Sequence, residues 1–121
     1  MEPPTLSPTD ALKRCLAAYR DLLRLTAEQE ALLRRGDYGP LVELLTRKDH
    51  LVGEAARLWA EAQAASAEER ARPAFAGAVR EVQTLVAELV EAERRCHELL
   101  PAAGAAPRAP ARRAVSAYQK K

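Results

Sequence analysis

The stretch "GDYGPLVELLTRKDHLV", residues 36–52, decides the fold because it holds both a turn and the start of an amphipathic helix. Gly36 suits the left-handed conformation that often follows a helix C-terminus. The leucines beyond it lie on one helical face, at positions 41, 44, 45 and 51. Position 48, on the same face, is a lysine. We therefore expect a helical hairpin whose interface contains one cationic side chain.

A first helix is predicted on the N-terminal side of this turn, over about residues 10–35. Thr9 or Asp10 is suited to cap it, since either side chain can accept a bond from the free amides of the first turn. The buried stripe follows spacings of three and four: Leu12, Cys15, Leu16, Tyr19, Leu22, Leu23, Thr26 and Leu33.

A second helix is predicted over about residues 38–65, with Asp37 as its N-cap and Pro40 in its first turn. Its stripe is Leu41, Leu44, Lys48, Leu51, Ala55, Leu58 and Ala62, widened by Leu45, Val52 and Trp59. Gly53 lies inside this helix at a cost of about 1 kcal/mol relative to alanine. That cost suggests a close approach of another helix.

A third long helix is predicted over about residues 74–100. Ser66 and Glu69 have the spacing of a capping box and predict one short turn before Pro73. The stripe of the long helix is Phe75, Ala78, Val82, Leu85, Leu89, Ala92, Cys96 and Leu99, with a second row of Val79, Val86, Val90 and Leu100. No segment shows the period of two that marks strands. The predicted fold is therefore an all-α bundle of a hairpin plus a third helix, related to a coiled coil.

The charge is divided between a helical body and a basic tail. Residues 1–100 carry 14 basic and 17 acidic side chains, whereas residues 101–121 carry five basic side chains and no acid. The tail is rich in proline and alanine and is expected to be disordered when unbound. Ala111, Val115 and Tyr118 are spaced four and three apart, so a short helix can form there against a partner.

Lys48 is expected to lie opposite a polar position of the first helix. In an antiparallel hairpin turning near residue 37, the numbers of facing residues add to about 74. Lys48 then faces Thr26, with Gln29 and Glu30 one turn away, and Glu93 of the third helix comes close. These groups form a polar layer that penalises slipped pairings. Alternatively, Lys48 lies at the edge of the stripe and extends its charge to water.

The same arithmetic gives further pairings: Leu33 with Leu41, Leu23 with Leu51, and Leu16 with Leu58. The third helix is expected to pack against the second, with Cys96 near Leu41. Cys15 would lie at the other end of the bundle, near Trp59. No disulfide between the cysteines is expected.

The sequence offers no set of groups for catalysis. His50 and His97 are not spaced as a ligand pair, and the dipeptide Cys96-His97 lacks the further ligands that a metal site needs. No glycine-rich phosphate loop occurs. We expect no enzyme activity, cofactor or metal, and no membrane insertion. The five tail cations could give weak, salt-sensitive binding to nucleic acid. A solubilising tail is nevertheless favoured, because the body is acidic and only Tyr118 could stack on a base.

The phrase "LLRLTAEQEALLRRGDYGPLVELLTRKDHLV", residues 22–52, resembles the flagellar export chaperone family FlgN. In that family a helix ending in "hxxLLxxGD" precedes one with "LxxLLxxKxxLhxxh", where h is apolar. The matching positions are Leu32, Leu33, Gly36, Asp37, Leu41, Leu44, Leu45, Lys48, Leu51 and Val52. The related flagellar family FliT has a similar pattern.

The resemblance implies a cytoplasmic chaperone that holds hook–filament junction proteins and delivers them to an export gate. It places client binding in the C-terminal region, Leu99 to Lys121. The implied contacts are Leu99 and Leu100, the anchors Val115 and Tyr118, and the rim residues Arg112 and Arg113. The stretch 101–111 departs from the family in its proline content, which argues against a continuous extension of the third helix. The competing interpretation is a structural bundle that closes its core as a homodimer, through Val79, Val86 and Val90.

Overall fold

The computed structural model describes residues 6–100, and all of its regular structure is helical. The elements are α1 (Pro8–Arg35), α2 (Leu41–Ala62), the single-turn α3 (Ala67–Ala71) and α4 (Pro73–Glu98). No strand occurs in the part of the chain that the structure describes. The predicted all-α fold is confirmed, and α4 is the third long helix of the prediction. None of the described helices is long and apolar enough to span a bilayer.

Helix α1 starts earlier than its sequence suggested, because the cap is Ser7 and neither Thr9 nor Asp10. The Ser7 hydroxyl accepts a bond from the Asp10 amide at 3.1 Å. Pro8 occupies the first helical position, where its missing N–H leaves no bond unmade. Thr9 and Asp10 consequently lie within the first turn.

Gly36 ends α1 as predicted, with φ of 69° in the left-handed region. Its amide donates to the Leu33 carbonyl at 3.1 Å, and the Asp37 amide donates to the Leu32 carbonyl at 3.0 Å. This pair of bonds is the Schellman motif, and it satisfies carbonyls that the helix end leaves open. Asp37 therefore belongs to the closing turn of α1, and its prediction as the cap of α2 was wrong.

Helix α2 begins at Leu41 after Pro40, whose φ of −74° already suits a helix. It ends at Ala62, three residues before the predicted end. Gly53 is exposed, and a Cβ added there would meet no atom within 4 Å. The predicted close approach of another helix at Gly53 was wrong.

The turn between α2 and α4 is fixed by the predicted capping box. The Ser66 hydroxyl accepts from the Glu69 amide at 3.1 Å, and the Glu69 carboxylate accepts from the Ser66 amide at 3.4 Å. The Arg70 guanidinium also donates to the carbonyls of Gln63 and Ala65, which directly follow α2. These bonds define where α4 starts relative to the hairpin.

Helix α1 is the centre of the molecule, because α2 and α4 both pack along it. Cys15 bonds to Ala55 across the antiparallel α1–α2 pair. Arg20 and Glu30 of α1 pair with Glu81 and Arg95, so α4 runs parallel to α1. The backbones of α2 and α4 approach each other at few points. The prediction that the third helix packs mainly on the second was therefore wrong.

Most of the buried apolar side chains belong to two clusters at opposite ends of the bundle. The distal cluster lies near the start of α1 and the end of α2, and contains Ala11, Leu12, Cys15, Leu16, Leu58, Ala62, Ala65, Phe75 and Val82. The tip cluster, at the hairpin turn, contains Leu33, Leu41, Leu45 and Cys96. The predicted pairings Leu33–Leu41 and Leu16–Leu58 fall within one cluster each.

The predicted pairing of Leu23 with Leu51 was wrong. Leu23 lines a groove between α1 and α4, together with Ala87 and Ala92. Leu51 instead lines a groove with Leu25. The difference arises because α1 divides its apolar surface between two partners, a fact that one stripe of residues does not reveal.

Candidate functional site: a buried polar layer and the surface between α2 and α4

A polar layer separates the two apolar clusters, as the lysine at position 48 predicted. Lys48 is only 1% exposed, and Thr26 and Gln29 are fully buried. Glu93 of α4 completes the layer with a side chain that is 26% exposed. The buried interpretation of Lys48 is confirmed, and the interpretation as a solvated edge residue was wrong.

The Lys48 ammonium joins all three long helices. It donates to the Gln29 side-chain oxygen of α1 at 2.6 Å and forms an ion pair with the Glu93 carboxylate of α4. An isolated buried ammonium would cost several kcal/mol, so these partners are what makes its burial tolerable. The position of this charge therefore favours one relative alignment of the three long helices.

Thr26 supports the layer from the centre of α1. Its hydroxyl lies 2.7 Å from the Leu22 carbonyl and 3.3 Å from a Glu93 carboxylate oxygen. Beside it, the Cys96 thiol donates to the Thr26 carbonyl at 3.6 Å. Glu93 and Cys96, one turn apart on α4, both contact this position. The prediction that Thr26 lies at the same height along the bundle as Lys48 and Glu93 is therefore confirmed.

Gln29 contributes more than its sequence position suggested. Its oxygen is the acceptor from α1, whereas its buried side-chain nitrogen has no hydrogen-bond partner among the described residues. A buried donor left without a partner costs about 1–3 kcal/mol. The layer therefore stabilises one alignment of the helices while carrying an internal cost.

Glu30 was predicted as part of the polar layer, but its bonds lie outside it. Its carboxylate accepts from Arg34 at 2.9 Å on the same helix and from Arg95 of α4 at 3.3 Å. The bonds from Arg34, and then those from Arg95, hold the pKa of the Glu30 carboxyl below its usual value. Glu30 thus forms an ion pair at the outer edge between α1 and α4. The α1 group bonded to Lys48 is its neighbour Gln29.

The two cysteines are free thiols in different parts of the core, as predicted. Cys15 is in the distal cluster and Cys96 in the tip cluster. Burial raises the pKa of the Cys15 thiol, so its reactive thiolate form is disfavoured. These thiols act as small core side chains.

Of the six residues predicted to bind a client, two lie within the part of the chain that the structure describes. Leu99 and Leu100 follow α4 and pack, half-buried, against the tip cluster beside Tyr38. The other four lie outside the described residues: Arg112, Arg113, Val115 and Tyr118. The structure therefore places the origin of the tail at the hairpin tip, next to Leu41.

Two large apolar side chains are exposed within residues 6–100, and they flank the gap between α2 and α4. Val52 is 43% exposed and Val90 is 60% exposed. Sequence reasoning assigned Val52 to the buried stripe of α2, which was wrong, because α4 packs on α1 and does not cover this side of α2. Val86, one turn from Val90, is half-buried against the distal cluster.

The described residues offer no group of three or more His, Cys, Asp or Glu side chains able to hold a metal ion. Lys48, a fully buried ionisable residue, is enclosed between an amide and a carboxylate. Its geometry is that of a structural cation. The arrangement can orient helices and present an apolar surface.

No protein-family profile matches the chain. A search of curated proteins and a search of solved structures also found no match. Function is therefore inferred from the hairpin phrase, the polar layer and the surfaces described above.

Proposed function

We propose that this protein is a non-enzymatic, cytoplasmic export chaperone of the FlgN type, which binds hook–filament junction proteins through its C-terminal region. The observation that carries the proposal is the hairpin phrase of residues 22–52. Two of its distinctive positions, Gly36 and Lys48, each have a defined structural role. The glycine closes α1 in a left-handed turn, and the lysine is buried between three helices.

The distribution of charge and apolar surface agrees with client binding. The basic tail leaves the body beside Leu99 and Leu100, which are only half-buried. Val52 and Val90 are exposed on the neighbouring helices. A rigid bundle with a tail that orders on contact gives modest affinity and ready release, because part of the binding energy is used to order the tail. Such release suits delivery to an export gate.

The test is capture of purified hook–filament junction proteins by the full chain and by tail variants. We expect a chain lacking residues 101–121 to lose capture while its thermal unfolding stays nearly unchanged. The sharper variant is Val115→Asp with Tyr118→Ser, which removes both anchors.

The matched control for that variant is Ser116→Asp with Ala117→Ser. It adds the same charge on the other face of the same segment and should retain capture. Full capture by the chain without its tail would refute the tail assignment. Equal loss in both double variants would refute the choice of anchors.

A second candidate function is a structural module that closes its core by dimerisation. The observation in its favour is the 60% exposure of Val90, which a second copy could cover. Sedimentation at micromolar concentration separates the candidates. A tight dimer that Val90→Asp dissolves would support the module and remove the need for a client.

A further inference from the structure

A continuous groove, which we call the hairpin groove, follows the line between α1 and α2. Two adjoining cavities form it, and no residue of α4 lines either of them. Arg47 lines both cavities, so the groove runs from the hairpin tip to the middle of the two helices. Its leucines are Leu25 and Leu32 of α1 and Leu44 and Leu51 of α2. Each pair is seven residues apart, the spacing by which coiled-coil helices keep one face towards a partner helix.

The half of the groove near the tip is lined by two acids and two bases: Glu28, Arg35, Glu43 and Arg47. None of these four forms an ion pair with another residue among 6–100. The groove between α1 and α4 differs, since Glu88 is the one charged residue of its lining that has no ion pair in that range. The hairpin groove therefore presents charges of both signs that are available to a partner.

The acids and bases of the groove are arranged in opposite order on its two sides. Gln29 and Lys48 are hydrogen bonded across the hairpin at 2.6 Å. The residues just before them, Glu28 and Arg47, therefore lie at about the same height on opposite sides. Arg35 and Glu43 lie nearer the tip. Towards the tip, the α1 side thus changes from acid to base and the α2 side from base to acid.

This order makes the groove complementary to itself under a two-fold rotation about an axis parallel to the hairpin. The rotation places α1 of one molecule opposite α2 of the other, at the same height and in the opposite direction. Glu28 then faces Arg47 of the second copy, and Arg35 faces Glu43 of the second copy. Every such contact occurs twice, as in any interface that a two-fold axis generates.

We propose that two copies of this chain associate through their hairpin grooves and form an antiparallel four-helix bundle from two hairpins. Leu32 and Leu51, which are half-buried in one chain, are covered in the dimer. Leu25 and Leu44 are already buried, so the newly covered apolar area is small. The interface therefore falls short of the roughly 800 Å² per partner of a stable complex. The association is weak and reversible.

This dimer goes beyond the proposed function and needs no client. It also differs from a dimer that covers Val90, because the hairpin groove contains no residue of α4. Near the middle of the helices, Asp21 of the groove is paired with Arg24 on its own helix at 3.4 Å. The attraction between two copies is therefore concentrated in the half near the tip.

The experiment is sedimentation equilibrium of the full chain over a wide range of concentration, with single charge reversals Glu28→Arg and Arg47→Glu. Each reversal turns two symmetry-related attractions into repulsions and should lower the association constant by about tenfold or more. An equimolar mixture of the two variants should associate about as strongly as the parent chain, because the bases of one variant then face the acids of the other. The double variant should also regain association.

Two controls change charge outside the groove. Glu88→Arg reverses an exposed acid of α4, and Val90→Asp adds a charge to the same helix; both should leave the association constant unchanged. Thermal unfolding close to that of the parent shows that each variant is folded. A monomer at every concentration would overturn the proposal. Equal weakening by Glu88→Arg or Val90→Asp, or a mixture of the two reversals that stays monomeric, would overturn it as well.

Discussion

Helices α2 and α4 pack on the same central helix, yet they differ in the side chains that they bury. Helix α2 buries large side chains along its length: Leu41, Leu44, Leu45, Lys48 and Leu58. Helix α4 is longer but buries only Phe75, Val82, Ala92 and Cys96. Leu85, Val86 and Leu89 of α4 remain half-buried. We therefore expect the hairpin to be the more stable unit of this fold and α4 to be the more weakly held helix.

The polar contacts at the edge of the α1–α4 interface are also expected to contribute little stability. Helix α4 is joined to α1 by the exposed ion pairs Arg20–Glu81 and Glu30–Arg95. Pairs of this kind typically contribute about 0–1 kcal/mol each. Its attachment therefore depends on few buried contacts and on the Lys48–Glu93 pair. We therefore expect α4 to open at a lower free energy than the hairpin.

The largest expected effect comes from removing the carboxylate that joins α4 to the hairpin. Glu93→Leu should destabilise the protein by about 3–5 kcal/mol, because the buried Lys48 ammonium loses its opposite charge. Urea unfolding measures this change. The matched control is Glu88→Leu on an exposed part of α4, with an expected change within about 0.5 kcal/mol. Similar values for the two variants would contradict the role of the ion pair.

Identical truncations on the two helices compare their packing directly. Leu58→Ala in α2 should cost about 2–5 kcal/mol, since Leu58 is 1% exposed in the distal cluster. Leu89→Ala in α4 should cost clearly less, because Leu89 is half-buried. Both free energies come from denaturant unfolding monitored by circular dichroism. Equal costs would show that α4 is held as firmly as α2.

Replacing the cation tests whether the polar layer contributes stability or alignment. Lys48→Met should leave the free energy of unfolding within about 1 kcal/mol of the parent or raise it, because it removes the fully buried charge and leaves the Glu93 carboxylate, whose side chain is 26% exposed and can be solvated. The amide NMR spectrum should show added or broadened signals from α4, reflecting looser alignment. In this background Glu93→Leu should lose most of its effect. A loss of several kcal/mol in Lys48→Met alone would refute the alignment role.

Gly53 offers a smaller gain in the hairpin. Gly53→Ala should stabilise the protein by about 1 kcal/mol, because alanine favours the helix and the added Cβ meets no atom within 4 Å. The readout is the shift of the urea midpoint at constant slope. Destabilisation would mean that a neighbouring group approaches Gly53 more closely than the structure shows.

The smallest effect concerns Glu30 and depends on pH. Its folded-state pKa is lowered from the ordinary value of 4.5 by the bonds from Arg34 and Arg95. The stabilisation is present above the ordinary value and is lost as the pH falls through the lowered folded-state value. Glu30→Gln should therefore unfold at a slightly lower temperature than the parent at neutral pH, and the gap should close in acid. A gap that persists in acid would assign the effect to packing.

Sequence periodicity predicted most of the fold, for identifiable physical reasons. The hairpin turn was predicted correctly because Gly36 suits the left-handed cap, and the polar layer because Lys48 interrupts a leucine stripe. The errors at Asp37 and Thr9 concern helix ends, where several nearby side chains can form a cap. Only the bonds actually made decide among them.

The packing partner of α4 could not be predicted in the same way. A stripe shows which face of a helix is buried but not which neighbour buries it. Residues such as Leu23 and Leu25 lie close together in sequence yet line different grooves. For the same reason Val52 looked buried, although α4 lies too far from α2 to cover it. Gln29 and Glu30 differ by one position, which rotates a side chain from the core to the edge.

Native-state hydrogen exchange on the full chain tests most directly whether α4 is the weakly held helix. We predict that amides of α4 between residues 82 and 96 exchange through an opening of lower free energy than amides of the hairpin. Glu93→Leu should lower the opening free energy of α4 further and change that of the hairpin less. One common opening free energy for all three long helices, or earlier opening of the hairpin, would contradict this prediction.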